Sequence, residues 1–247
     1  MKAFSTFLKT ELKLSFRGID MFIFAICLPV VILVLIGIIN GNNPAFEGAD
    51  YTFLDQSFGA ISTIAICAGG LMGLPLVLSG YREQKILKRL KVTPASPVML
   101  LAVQLIIYMI YSVISLALIF IVAKVFWNFS IKGNILQFLG TYFLVMLSMF
   151  SIGLMVGGIA KNSKSAGSIA SILYFPMLIF SGATLPYEVM PGIMQKIVDI
   201  LPLTQGIKIL KASTLGLPID NIIFPIILMI LIFVVCIVIS VKFFKWE

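Results

Sequence analysis

The sequence predicts an all-α membrane protein: six transmembrane helices, an N-terminal interfacial helix and a re-entrant extracellular half-helix pair before the last span. Three observations predict it. Hydrophobic residues make up 60% of the 247 positions and charged residues only 11%, where a soluble domain carries about 25% charged residues. Mean hydropathy is +1.12. The apolar residues also fall into runs of about twenty, each long enough at 1.5 Å per residue to cross a ~30 Å hydrocarbon core.

Residues 1–20 come first. Lys2, Lys9, Lys13 and Arg17 alternate with Phe4, Phe7, Leu8, Leu12 and Phe16, the spacing of an amphipathic helix in the membrane interface. The first apolar run follows this charged leader and exceeds the h-region of a signal peptide, so it is expected to stay. The expected spans are 21–40, 58–79, 98–120, 135–160, 167–185 and 222–241, within one membrane domain, 1–247. Pro29, Pro176 and Pro225 lie inside spans and Pro75 near the end of one, which membrane helices tolerate when neighbours satisfy the freed carbonyls.

The net charge is +8. The basic residues sit between the apolar runs, so the charge reads as topology, and no nucleic-acid partner is expected. With the N-terminus inside, the segments 1–20, 80–97, 161–166 and 242–247 carry 13 of the 18 Lys and Arg. Both termini are therefore expected in the cytoplasm.

Cys27, Cys67 and Cys236 lie in apolar runs and read as small buried hydrophobes. The chain has no histidine, which removes the usual general base and metal ligand. No phosphate-binding loop occurs, so no nucleotide site of that type is expected. No span carries a central acid, against ion-coupled transport.

Small residues one turn apart, Gly69 with Gly73, Gly153 with Gly157 and Ala166 with Ala170, allow close helix approach. They serve either packing within one chain or dimerisation. Gln104, Tyr108, Tyr111 and Ser115 share one face of the third span, and Thr141, Ser148 and Ser151 one side of the fourth. Interhelical hydrogen bonding is the simpler reading, substrate contact the sharper one.

Two segments stand out. Segment 80–97 holds Arg82, Lys85, Lys88, Arg89 and Lys91, with Ile86, Leu87 and Leu90 along one edge. It is either a loop on lipid headgroups or a helix docked in a cytoplasmic partner. Segment 182–213 holds two apolar stretches, 192–201 and 204–212, separated by Pro202. Each is too short to cross, so they form a half-helix pair entering from outside or an outer loop with an interfacial helix. Glu188 and Asp199 are the acids there, and capping or solvation accounts for them.

Two motifs, in order, resemble the type-2 ABC exporter permease family. One is Leu90, Lys91, Val92, Thr93, Pro94, Ala95 and Ser96, like the family's lr-x-T-P-x-S. The other is Phe180-Ser181-Gly182, Leu185-Pro186, Met190-Pro191 and Leu201-Pro202-Leu203-Thr204, like F-S-G, P, M-P and l-P-l-T. The resemblance implies two permeases paired into twelve spans above a cytoplasmic ABC ATPase dimer. Arg82, Glu83, Lys85, Lys88, Arg89, Thr93 and Pro94 would couple to that ATPase. Pro186, Glu188, Met190, Pro191, Pro202, Leu203 and Thr204 would belong to an extracellular gate, 186–213. The first, second and fifth spans would line the path. ATP and Mg would sit on the partner, with no cofactor in this chain. The cargo would be amphipathic: a drug, peptide, lipid or glycolipid leaving through the plasma membrane, with membrane lipid as a further partner. An ATP-independent channel or secondary carrier is the alternative; a membrane enzyme would need an acid or histidine cluster.

Overall fold

The computed structural model describes residues 2–15, 22–46, 48–91, 96–182, 187, 190–218 and 223–244. Among these, the only extended pairing is an isolated bridge between Pro44 and Thr52. Six helices are long and apolar enough to cross a membrane: Ile23–Asn40, Phe53–Glu83, a third that reaches Trp127, Ile135–Ile159, Ser163–Phe180 and Ile223–Lys242. The six expected spans are therefore present, with shifted ends.

The shifts have local causes. The second span starts before residue 58 because Thr52 and Asp55 form a capping box: the Thr52 hydroxyl accepts from the Asp55 N–H at 3.1 Å, and the Asp55 carboxylate accepts from the Thr52 N–H at 3.0 Å. The third helix, Pro97–Trp127, outlasts residue 120 and ends on Asn128 in the left-handed region (φ 51). The fifth starts early because Asn162 caps it, and ends before Gly182, whose φ is 99. The second and third helices each have 31 residues, about 46 Å, and so overreach the hydrocarbon core.

The first and second spans each contain one π turn, Ile23–Cys27 and Ala68–Gly73. A proline stands just beyond each, Pro29 and Pro75. Proline has no N–H to give and its ring crowds the preceding turn. The wider turn absorbs this, with the Leu28 N–H reaching the Ile23 carbonyl and the Leu74 N–H reaching that of Gly69.

The second span is the hub: 83% of its apolar 18-residue stretch is buried, against 28%, 22% and 22% for those of the first, fifth and sixth. Its contacts explain the small residues. Gly73 lies against the Tyr108 ring, Gly153 against the carbonyl of Gly70, and Gly157 against Pro75 and Leu78. Ala166 and Ala170 are fully buried as well. All three small-residue pairs thus serve packing within one chain. Near one end of the hub, Phe58 stacks on Phe129 at 4.2 Å between centroids.

The N-terminal helix, Lys2–Ser15, sets Phe4, Phe7, Leu8 and Leu12 against Ala25, Ile26, Val103, Ile107 and Tyr111. Its apolar stripe thus meets protein, the first and third spans. Residues 1 and 16–20 of the expected 1–20 helix lie outside the described residues. At this end of the bundle, the basic end, the second and fourth spans finish and the fifth begins; the opposite end is the far end.

Candidate functional site

At the basic end, the second span finishes in Tyr81, Arg82 and Glu83. The Tyr81 hydroxyl donates to the Glu11 carboxylate. The Gln104 amide donates to the same Glu11 oxygen at 3.0 Å and to the Tyr81 hydroxyl at 3.3 Å. Glu11 is 8% exposed. Three elements therefore meet on one carboxylate: the N-terminal helix and the second and third spans.

Arg82, expected to couple to an ATPase, packs into the bundle. It is turned inward and 6% exposed. Its guanidinium donates to the carbonyls of Gly157 at 3.2 Å, Gly158 at 2.9 Å and Ala160, and lies 5.9 Å from the Phe244 ring centroid. The last carbonyls of a helix have no intrahelical donor, and a planar cation with several N–H groups can satisfy them together. Glu83 accepts from the Ser163 N–H at 3.2 Å, a carboxylate at the start of the fifth span.

Beyond Glu83 the chain turns through Lys85 at φ 58 into the short helix Ile86–Lys91. There Leu87 is fully buried, while Lys85 and Lys88 are exposed. The side chain of Arg89, and Thr93 and Pro94 entirely, lie outside the described residues. Ser96 caps the helix that follows: its hydroxyl accepts from the Met99 N–H at 3.1 Å, with Pro97 in the first turn, a good start for a helix.

At the far end, helices Gly192–Val198 and Pro202–Leu215 follow the fifth span, where the sequence alone places stretches 192–201 and 204–212. Pro202 does not merely separate them; it opens the second helix, where its missing N–H costs nothing. Tyr187 donates to Asp199 at 3.0 Å, Lys208 donates to Asp199 at 2.6 Å, and the Lys208 ammonium lies 4.7 Å from the Tyr187 ring centroid. Partial burial and the Asp199 bond hold the Tyr187 phenol above its ordinary range. Gln195 donates to the carbonyls of Tyr187 and Met190, both at 3.1 Å. Met190, Leu203 and Thr204 are buried, and Pro191 precedes the first of these helices. The Thr204 hydroxyl has no hydrogen-bond partner among the described residues. Pro186 and Glu188 lie outside them. Ile193, Ile197 and Ile200 point outward, 80%, 62% and 78% exposed.

Helix Pro202–Leu215 is braced on three sides. At Gly59 of the second span, an added Cβ would come within 3.0 Å of the Leu210 and Lys211 backbone. The Thr141 and Ser213 hydroxyls share a bond at 3.0 Å. The Thr214 carbonyl accepts from the Lys132 and Gly133 N–H groups at 2.9 and 3.1 Å. Lys132 also meets Asp55 at 3.3 Å and donates to the Asp50 carbonyl at 2.7 Å.

The polar faces mostly bond between helices. Ser15 donates to the Tyr111 hydroxyl at 3.1 Å, Gln104 belongs to the Glu11 cluster, and Ser148 donates to the Met229 carbonyl at 2.8 Å. Ser151 bonds within its own helix. The Ser115 hydroxyl is buried without a partner among the described residues, which also hold no acid or cysteine group that could bind a metal.

Sequence reasoning missed Glu11, Lys132 and Lys208. For Glu11 a signal existed: it sits four residues after Phe7 and seven after Phe4, on the apolar stripe. Lys132 and Lys208 carry none, since their partners are distant in sequence or lie across a turn.

Residues 2–215 match the family described as ABC-2 type transporter. The chain is 26% identical over 156 residues to the inner membrane transport permease YhhJ of Escherichia coli (strain K12), a match covering 62% of this chain and 40% of that protein. It is 22% identical over 194 residues to the putative transport permease YvfS of Bacillus subtilis (strain 168), covering 78% and 77%. A third similarity, 29% over 79 residues, is to nodulation protein J of Neorhizobium galegae, covering 32% of this chain and 30% of that protein.

Proposed function

The chain belongs to the ABC-2 type transporter family, a family of multi-pass transmembrane subunits of ABC transporters, and from that premise we propose that it is the membrane subunit of an ATP-driven exporter. Two copies, or this chain and a paralogue, enclose the path. A separate cytoplasmic ATPase dimer, which carries ATP and Mg, binds beneath them. The basic end faces the cytoplasm, as the concentration of Lys and Arg there favours. The cargo class is amphipathic: a drug, peptide, lipid or glycolipid.

One observation carries the reading. The second span, the most buried helix of the bundle, runs without interruption into the turn at Lys85 and the helix Ile86–Lys91. A protein that docks on Lys85 and Lys88 therefore acts directly on the hub. ATP binding closes the ATPase dimer and shifts these helices together. That shift biases the paired permeases toward an outward-open arrangement, provided the ATPase contact differs in energy between the two states. At the far end, Gly192–Val198 and Pro202–Leu215 act as the gate, with Met190, Pro191, Pro202, Leu203 and Thr204 at its base.

The test is reconstitution. The chain is co-expressed with an ABC ATPase subunit, purified and placed in liposomes with a fluorescent amphipathic dye and a short-chain fluorescent phospholipid as probes. A stoichiometric complex with Mg-ATP-dependent probe movement is expected. Movement by this chain with no ATPase present overturns the proposal.

A further inference from the structure

The N-terminal helix is joined to the bundle by two kinds of contact. One is apolar, through Phe4, Phe7, Leu8 and Leu12, and holds it against the first and third spans. The other is Glu11. A single carboxylate oxygen accepts from the Tyr81 hydroxyl, at the end of the second span, and from the Gln104 amide of the third. Among the described residues both partners of Glu11 are uncharged.

Stability does not account for this choice. A buried carboxylate held by neutral donors bears a desolvation cost that an apolar residue on the same stripe would avoid. What the carboxylate adds is direction: it ties the N-terminal helix to the residue beside Arg82, four positions before the turn at Lys85. The apolar contacts lack that directionality.

We propose that Glu11 is a positioning residue. It makes the N-terminal helix and the end of the second span move as one body when the segment Ile86–Lys91 is displaced. The proposal rests on the ATPase contact given above as the proposed function. Without Glu11, the segment moves under the ATPase while the N-terminal helix stays behind, and part of the stroke is lost as slippage.

The variants are Glu11→Gln and Glu11→Leu. An amide oxygen has two lone pairs and can accept both bonds, so Glu11→Gln keeps the joint without the charge. Glu11→Leu removes it and suits the apolar stripe, so the helix still docks. Two measurements are made. First, nitroxide labels at Lys9→Cys and Gln84→Cys, with the three native cysteines replaced by alanine, report the distance between the two elements in lipid nanodiscs. One narrow distribution is expected with Glu11 and with Glu11→Gln, and a broad one with Glu11→Leu. Second, the complex with the ATPase is assayed for hydrolysis and probe transport. Glu11→Leu is expected to hydrolyse ATP within about twofold of wild type at an unchanged KM, while transport falls about tenfold; Glu11→Gln is expected to restore at least half of it. A narrow distribution in Glu11→Leu, unchanged transport per ATP, equal loss of hydrolysis and transport, or no rescue by Glu11→Gln overturns the inference. Should the wild-type complex fail to transport at all, the proposed function falls, and the label distances alone decide the joint.

Discussion

Tyr81 and Arg82 are neighbours in the chain yet fasten the second span in two directions. Tyr81 donates to Glu11 on the N-terminal helix, whereas Arg82 donates to the carbonyls of Gly157, Gly158 and Ala160 at the end of the fourth span. Successive residues on a helix point about 100° apart, so one step along the chain reaches two different parts of the bundle.

Arg82→Met is expected to cost about 2–4 kcal/mol, because it leaves buried helix-end carbonyls without donors. Arg82→Lys should recover little, since a single ammonium cannot reproduce the planar fork. Thermal melting of the detergent-solubilised chain checks both; melting at the wild-type midpoint by Arg82→Met rejects the pin.

Lys85→Glu combined with Lys88→Glu is expected to leave folding within about 0.5 kcal/mol, as for most surface changes. ATPase co-purification should fall about tenfold at low salt, by charge reversal across the contact. Lys85→Gly should fold at least as well as wild type, because glycine adopts φ 58 freely. Wild-type recovery of the ATPase with the double reversal counts against docking at this segment.

Gly153 and Gly140 lie on one helix and predict opposite outcomes. An added Cβ at Gly153 would overlap the Gly70 carbonyl oxygen, and one at Gly140 meets nothing within 4 Å. Gly153→Ala should prevent recovery of folded protein. Gly140→Ala should be neutral or stabilising by up to about 1 kcal/mol. Expression and melting midpoint separate the two.

Asp199→Asn and Lys208→Gln test the far end. Both side chains are more than a third exposed, so each change should move stability by less than about 1 kcal/mol. If the two helices gate the path, ATP-driven transport changes while the melting midpoint holds. The exchanged pair, Asp199→Lys with Lys208→Asp, should lie nearer wild type than either single exchange. Unaltered transport by every variant removes these residues from the gate.

The helices were legible because apolar runs of about twenty residues have few other uses. Their ends were less so. The capping box at Thr52 and Asp55 places a polar pair inside what reads as a loop, and the third helix runs on past residue 120 to Trp127. The bonds of Arg82 were hidden for a physical reason: a cation beside Lys85 and Lys88 in sequence reads as surface, and only the crossing of the second and fourth spans shows the carbonyls that it meets. Glu11 stood on an apolar stripe in plain view, but its partners come from two other helices, and no local pattern announces them. The small-residue pairs showed where helices would approach closely, but not which helices.

From the cap at Thr52 to Glu83 the second span is one unbroken helix, and Gly59 near its start rests on the backbone of Leu210 and Lys211. Glu83 and Leu210 are therefore linked through continuous helix with no loop in between, and the π turn Ala68–Gly73, with Pro75 just beyond it, is where that helix can bend. If the proposed ATPase contact displaces the segment Ile86–Lys91, the displacement reaches Leu210 with no loop on the way to absorb it.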